Sequence, residues 1–285
     1  MKILVIGHSV EDHIHQNNAE RIKPGGIYYS VLGLTKIIAA DDEIHLITAL
    51  QKNNKHLFSD IYNTIYKKYI SWIDEIPRVQ LIINDSEERT ECYENVPQNL
   101  KINYSMLHGF DGILINMISG FDITLEQLQE IRKNFSGLIY LDVHTLSRGF
   151  DENRLRVFRR IENFSKWAAS VDLIQVNELE AITLFNHKEE LKTANEVMKQ
   201  GTKCLIVTKG DGGAIVYFPR DNEIESVFML SKKVQTLNKV GCGDIFGAVF
   251  FYSYLMNKNV REALMKANLA AGKSVSTQDL KELRL

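Results

Sequence analysis

The residues best suited to chemistry lie in one short segment, Val240-Gly241-Cys242-Gly243-Asp244, which leads into an apolar stretch. Two glycines around one small residue at the start of a helix let backbone N–H groups converge on an anion, such as a transferring phosphoryl group. The Asp244 carboxylate would repel a phosphate that is merely bound, but it could accept a proton from an attacking hydroxyl. The segment alone leaves two interpretations open: a catalytic centre, or an acidic residue in an ordinary first helical turn.

Two further segments contain residue types that suit a phosphate donor and a metal ion. Residues 208–213, Thr-Lys-Gly-Asp-Gly-Gly, form a glycine-rich turn that a nucleotide could approach closely, although an ordinary β-turn has the same composition. Asn177 and Glu180 follow an apolar run and lie one helical turn apart, so their oxygens could face a hydrated Mg²⁺. A helix N-cap with Glu180 in a capping box explains the same pair equally well.

Polar residues at the ends of apolar runs are candidates for binding a substrate rich in hydroxyl groups. Asp12 follows the first run, and open α/β sheets bind ligands at the carboxyl ends of their strands. A carboxylate there can bind vicinal hydroxyls, while Gly25 and Gly26, just before a helical stretch, allow close backbone approach. Asn116 is a further substrate candidate because it also ends a predicted strand.

Short apolar runs alternate with longer amphipathic stretches along the chain, which is typical of a parallel sheet covered by helices. The predicted buried strands span residues 2–6, 44–48, 112–115, 138–141, 173–176 and 204–207. The predicted helices span residues 28–39, 125–133, 153–168, 189–199, 244–256 and 260–275. Residues 79–99 and 212–230 break this alternation and predict two antiparallel hairpins around polar turns.

The composition argues against several classes of partner. The 285 residues are 45% hydrophobic and 25% charged with a formal net charge of −2, which is typical of a soluble globular protein and gives no basic excess for nucleic acid. No apolar run approaches the length of a membrane span, and the apolar start of the chain is too short for a signal peptide. We therefore expect a cytoplasmic protein with neither a nucleic-acid nor a membrane partner.

The order of these motifs along nearly the whole chain resembles the ribokinase (PfkB-type) family of sugar and nucleoside kinases. The resemblance rests on an early Gly-Gly pair, a small hairpin, Asn-x-x-Glu, Thr-Lys-Gly-x-x-Gly and Gly-x-Gly-Asp, in that order. It implies an α/β fold with a three-layer α/β/α ribokinase-like core and a mostly parallel central sheet, as one domain over residues 1–285. It also implies a small β-lid, formed by residues 8–24 and 76–100, through which a homodimer would form.

The resemblance assigns roles to individual residues and implies ATP and Mg²⁺ as cofactors. Asp244 would be the catalytic base beside an anion hole made by Gly241, Cys242 and Gly243. The ATP site would include Thr208, Lys209, Gly210 and Gly213, with Asn268 near the adenine, and Mg²⁺ would associate with Asn177 and Glu180. The acceptor would be a small sugar, polyol or nucleoside bound by Asp12, Gly25, Gly26 and Asn116.

The sequence departs from the family pattern at three places. Asn238-Lys239 replaces the usual Asp-Thr that helps to hold K⁺ in cation-activated members, and we expect the Lys239 ammonium to replace the cation's charge. Asp142 resembles the family's Asp-Pro-Asn strand end without the Pro and Asn. Val10 and Ile27 stand where sugar kinases often carry Asn or Lys, which argues against simple ribokinase specificity. A nucleoside or cyclic polyol kinase, and a non-catalytic sensor of a sugar or nucleotide, stay open as alternatives.

Overall fold

The computed structural model describes residues 1–16, 19–82, 90–95, 98–152, 155–238 and 240–285. The strands are β1 (Lys2–Ile6), β2 (Ser9–Gln16), β3 (Ala19–Gly26), β4 (Glu43–Gln51), β5 (Ile70–Ile73), β6 (Arg78–Ile82), β7 (Thr90–Tyr93), β8 (Gly112–Asn116), β9 (Leu138–Asp142), β10 (Arg148–Phe150), β11 (Arg156–Phe158), β12 (Leu173–Asn177), β13 (Cys204–Thr208), β14 (Ala214–Arg220) and β15 (Glu223–Met229). The helices are α1 (Tyr28–Thr35), α2 (Ser59–Tyr62), α3 (Leu125–Asn134), α4 (Phe164–Ala168), α5 (Glu178–Phe185), α6 (Glu190–Met198), α7 (Cys242–Asn257) and α8 (Val260–Val275).

A nine-stranded sheet forms the middle layer, in the order β15-β14-β13-β12-β9-β8-β1-β4-β5. The strands from β13 to β5 are parallel, whereas β14 and β15 are antiparallel additions at one edge. This arrangement confirms the predicted mostly parallel sheet. All six predicted strands are present, and the hairpin predicted for residues 212–230 is formed by β14 and β15.

Each face of the sheet packs against its own layer of helices. Along β1, Ile3 and Val5 belong to one hydrophobic core, while Leu4 and Ile6 belong to the other, because successive side chains of a strand point to opposite faces. The first core contains buried residues of α1, α7 and α8, and the second contains those of α3, α4, α5 and α6. The fold is therefore the predicted three-layer α/β/α type. In the described part of the chain, no helix has both the length and the apolar character that a membrane crossing requires.

A second, four-stranded sheet in the order β3-β2-β6-β7 follows directly from the end of β1. Strand β2 pairs antiparallel with β3 and parallel with β6, and β6 pairs antiparallel with β7. Its strands fall in the two segments that we predicted as a lid, residues 8–24 and 76–100, except that β3 extends two residues further to Gly26. Residues 17, 18, 83–89, 96 and 97 of those segments lie outside the described residues, and the lid role itself stays a prediction.

One predicted helix, over residues 153–168, is wrong. Within this stretch β11 pairs antiparallel with β10, and among residues 155–168 only the short α4 is an α-helix. Asn163 separates the two elements with a left-handed φ of 53°, which interrupts a regular helix. The local pattern missed this because the pairing partner of β11 precedes the stretch. The helix predicted for residues 28–39 is α1, which ends at Thr35.

Gly213 provides a stability test of the turn that joins β13 to β14. Its φ is 100°, and an added Cβ would overlap the carbonyl oxygen of Met229, so Gly213→Ala should lower the free energy of unfolding by about 2–4 kcal/mol in urea titrations. Gly272→Ala is the matched control, because Gly272 lies in α8 with open space around its Cβ position. That variant should be neutral or raise the free energy of unfolding by about 0.5–1 kcal/mol. Equal effects of the two substitutions would contradict the strain at Gly213.

Candidate active site

The Gly241-Cys242-Gly243-Asp244 segment forms the start of α7, as the sequence predicts. Gly241 has a left-handed φ of 79°, and a Cβ there would overlap the Tyr29 ring, so only glycine fits. The side-chain oxygen of Asn238 accepts the backbone N–H of Val240 at 2.9 Å and fixes the approach to the helix. The first N–H groups of a helix have no acceptor within the helix, and a helix start of this kind can bind an anion. Lys239 lies outside the described residues.

Asp244 lies in the first turn of α7, where Asn116 holds its carboxylate. The Asn116 Nδ2 group donates to Asp244 Oδ1 at 2.6 Å and reaches Ser30 Oγ at 3.3 Å. Asn116 is almost fully buried at the end of β8, so this bond forms away from bulk water, where it is stronger. We predicted Asn116 as a substrate residue, and the structure places it against the candidate base.

Asp12 and Asp244 share one cleft between the second sheet and the start of α7. Gly26, Glu91, Tyr93 and Gly241 also line it. Gly25 does not line the cleft but lies against Asp12, since a Cβ at Gly25 would overlap the Asp12 carboxylate. The cleft therefore joins the predicted hydroxyl-binding residue to the predicted base, which are far apart in sequence.

The residues predicted to bind ATP lie around the segment that follows β15. Lys209 N–H donates to the carbonyl oxygen of Gly213 at 2.8 Å and closes the turn, and Gly213 packs against residues 229–231. From the other side, Asn268 Nδ2 in α8 donates to the carbonyl oxygen of Leu230 at 3.0 Å. The structure thus brings the glycine-rich turn and Asn268 to opposite sides of one short segment.

The Lys209 ammonium is held by two carboxylates at the starts of α5 and α6. It contacts Glu190 directly and Glu178 at 3.2 Å. Partial burial opposes the charged form, but the hydrogen bonds to Glu190 and Glu178 outweigh it and raise the pKa of Lys209. Thr208, one residue earlier, donates its hydroxyl to the Val176 carbonyl oxygen at 3.3 Å. The donor turn is therefore tied to the neighbouring elements through charged and polar side chains.

Asn177 and Glu180 form the capping box that we held as the alternative interpretation. Asn177 Oδ1 accepts the backbone N–H of Glu180 at 2.8 Å, and Glu180 Oε2 accepts that of Asn177 at 2.9 Å. No cluster of three or more His, Cys, Asp or Glu side chains that could hold a metal occurs among the described residues. Because Mg²⁺ keeps several water ligands, association with this pair needs no such cluster and stays a prediction.

Two contacts of the site had little signal in the sequence. Gln175 lies two residues before the Asn177 motif and hydrogen-bonds the first turn of α7, and its one signal is an amide within an apolar run. Tyr29 packs beside Gly241, and an aromatic residue in an apolar helix gives no indication of such a contact. Tyr28, in the same helix, is buried and donates to Asp60 Oδ2 at 2.9 Å.

Comparisons with known proteins agree on one family and fold. The model of the pfkB family carbohydrate kinases matches residues 125–282. A Mycoplasma genitalium protein named as a candidate 1-phosphofructokinase is 24% identical over 262 residues, which cover 89% of this chain and 81% of that protein.

Two solved structures share the fold over nearly their whole length. The Arabidopsis thaliana ribokinase complexed with ribose and ATP has a TM-score of 0.76 at 14% identity, covering 99% of this chain and 95% of that one. A pyrophosphate-dependent kinase of the ribokinase family, complexed with a pyrophosphate analog and myo-inositol, has a TM-score of 0.74 at 16% identity, covering 99% and 100%.

The contact between Asn116 and Asp244 can be tested through the pH dependence of stability. Asn116→Asp would place two carboxylates in direct contact at a buried position, so one must hold a proton and the pKa of the pair rises above its unfolded value. We expect a loss of about 2–4 kcal/mol at pH 8 that shrinks as the pH falls towards 5, where the shared proton is bound. Thermal unfolding across this range measures the effect. Asn195→Asp, on the exposed face of α6, is the control, and a pH-independent loss in Asn116→Asp would contradict the contact.

Proposed function

Because the chain belongs to the pfkB family of carbohydrate kinases, we propose that it transfers the γ-phosphoryl group of ATP to a hydroxyl group of a small sugar-like molecule. The observation that carries the proposal is the placement of Asp244. Its carboxylate is oriented by Asn116 in the first turn of a helix, in the same cleft as Asp12. A base, an anion site and a hydroxyl-binding carboxylate thus meet at one place.

Asp12 recognises the acceptor, and Asp244 activates its hydroxyl group. Asp12 accepts hydrogen bonds from vicinal hydroxyls and orients the acceptor in the cleft. Asp244 receives the proton of the attacking hydroxyl as the new P–O bond forms, while the bond between the γ-phosphorus and the β–γ bridging oxygen breaks and ADP leaves. The Asn116 amide donates to Asp244 Oδ1 at 2.6 Å and holds the carboxylate in place. Fixing the carboxylate in this way reduces the entropy lost on reaching the transition state.

The first turn of α7 stabilises the charge of the transferring phosphoryl group. Backbone N–H groups of Gly241, Cys242 and Gly243 provide hydrogen bonds at the positive end of the helix dipole, and fixed donors of this kind need no reorganisation during the reaction. Asn177 and Glu180 would associate with Mg²⁺, which would supply positive charge beside the donor phosphates. The turn that contains Thr208, Lys209, Gly210 and Gly213 lies along the donor, and Asn268 lies near the adenine.

The second sheet acts as a lid over the acceptor. It contributes Asp12 from β2, together with Glu91 and Tyr93 from β7, to the cleft. These side chains meet the start of α7 only while the sheet lies over the carboxyl end of the main sheet. Closure of the sheet onto a bound acceptor excludes water, which would otherwise compete with the acceptor for the phosphoryl group. A homodimer formed through this sheet is part of the same proposal.

The function is tested by a screen of donors against acceptors. ATP and pyrophosphate are each combined with D-ribose, D-fructose, myo-inositol and adenosine in the presence of Mg²⁺, and donor consumption is measured. We expect turnover with ATP and at least one sugar. Turnover with pyrophosphate alone would overturn the donor assignment, and turnover with adenosine or myo-inositol alone would favour the nucleoside or polyol alternative. Binding of an acceptor without turnover on any pair would favour a non-catalytic sensor.

Asp244→Asn tests the base directly. The amide keeps the shape of the side chain but cannot take a proton, so turnover should fall by about 10²–10⁴-fold. Donor binding, measured by calorimetry with a non-hydrolysable ATP analogue, should persist. Asp74→Asn, an exposed carboxylate outside the cleft at Asp244, serves as the control and should keep full activity. Substantial turnover in Asp244→Asn would show that another group acts as the base.

A further inference from the structure

Three adjacent parallel strands end in a row of polar side chains beneath the start of α7. These are Asn116 of β8, Asp142 of β9 and Gln175 of β12, and the strand register pairs Asn116 with Asp142 and Asp142 with Gln175. All three are at most 4% exposed, in strands that are mostly apolar. A buried polar group left without a partner costs about 1–3 kcal/mol, so the hydrogen bonds that this row makes are important for stability, although Asn116 Oδ1 has no hydrogen-bond partner among the described residues.

Gln175 uses both ends of its amide in this row. Its Nε2 group donates to Asp142 Oδ2 at 2.9 Å and to the carbonyl oxygen of Gly243 at 3.2 Å. Its Oε1 atom accepts the hydroxyl of Tyr140, which lies two residues before Asp142 on the same face of β9. The opposite amide orientation would set an oxygen against a carboxylate oxygen and a carbonyl oxygen. The hydrogen-bond partners therefore fix the orientation.

The side of α7 that faces this row lies in direct contact with Gln175. A Cβ at Gly247, one helical turn after Gly243, would lie 2.8 Å from both Gln175 Oε1 and the Tyr140 hydroxyl oxygen. A larger residue does not fit at position 247, because the Gln175 amide and the Tyr140 hydroxyl occupy the space that its Cβ would need. Two consecutive residues of the first turn are held from two different strands, Gly243 by Gln175 and Asp244 by Asn116.

Asp142 connects this contact to the acceptor side of the cleft. Besides the Gln175 amide, its carboxyl accepts the backbone N–H of His144. His144 lines the cleft and has a left-handed φ of 36°, an uncommon conformation that this hydrogen bond helps to hold. Burial, and then the charges of Asp244 and Glu180, raise the pKa of Asp142 well above its ordinary range.

We propose that Gln175 is a positioning residue for phosphoryl transfer, which holds the carbonyl of Gly243 and thereby sets where the backbone N–H groups of this turn and the Asp244 carboxylate point. The inference rests on the proposed function, because its effect on turnover requires phosphoryl transfer at this turn. It assigns a role to a residue outside the Asn-x-x-Glu and Gly-x-Gly-Asp motifs. A displacement of about 1 Å in a catalytic group can cost a factor of about 10² in rate, so a contact of this kind matters without touching substrate.

The test compares two substitutions at Gln175 with one control. Gln175→Met keeps the volume and removes all three hydrogen bonds, while Gln175→Glu keeps the shape and sets a carboxylate against Asp142 and the Gly243 carbonyl. The control is Thr202→Val, which removes a buried 2.9 Å hydrogen bond to the Ala168 carbonyl oxygen in the loop before β13. If the methionine variant does not fold, the glutamate variant carries the test at pH 8, where a larger fraction of its carboxyl is ionised and cannot donate a hydrogen bond to the Gly243 carbonyl.

Two measurements separate positioning from a general loss of stability. Hydrogen–deuterium exchange of the amides of residues 242–247 should rise by about tenfold or more in Gln175→Met, as local opening becomes easier, and should not change in Thr202→Val. With the best donor and acceptor of the screen, kcat should fall by about 10- to 100-fold while KM for the acceptor stays unchanged. Thr202→Val should lose thermal stability without losing kcat.

The outcomes distinguish the inference from the function on which it rests. Wild-type exchange rates in both Gln175 variants would overturn the inference, and so would wild-type kcat in a folded variant. If the wild-type protein turns over no donor and acceptor pair, the proposed function is wrong. The exchange comparison alone then decides whether Gln175 holds the first turn of α7.

Discussion

The fold and the candidate site both depend on how the first turn of α7 rests on a row of buried polar side chains. Asn116, Asp142 and Gln175 stand level on three adjacent strands, and their hydrogen bonds reach Gly243 and Asp244. In a low-dielectric interior these bonds are strong and their loss is costly, so they favour one placement of α7 on the sheet over shifted ones. The candidate base is therefore positioned by the sheet and not by its own loop.

Glycine makes this close approach possible at three points of the site. Gly241 leaves room for the Tyr29 ring, Gly247 for the Gln175 amide and the Tyr140 hydroxyl, and Gly25 for the Asp12 carboxylate. In each case a Cβ would occupy the space that a neighbouring side chain fills. Because these glycines have no side chain, neighbouring side chains can pack against their backbone. Gly241 also adopts a left-handed backbone conformation that favours glycine.

The two substrates of the proposed reaction would meet at the junction of separately built parts. In the proposed reaction, the second sheet with Asp12 would form the acceptor side, and the turn at Lys209 with the segment that Asn268 contacts would form the donor side. A pfkB family kinase built in this way can change its acceptor through the second sheet while the anion site stays fixed on the main sheet.

The sequence by itself determined the parallel strands, α7 and α8, because apolar runs and helical spacing are local patterns. Residues 260–275 form α8 as predicted, and the Gly-x-Gly-Asp segment starts α7. Tertiary structure alone decided the rest, because contacts across a sheet join residues that are distant in the chain. Asn116 meets Asp244 across 128 residues, and Gln175 meets Gly243 across 68. The hairpin of β10 and β11 replaced a predicted helix for the same reason, since a pairing partner outside the stretch overrode its helical spacing.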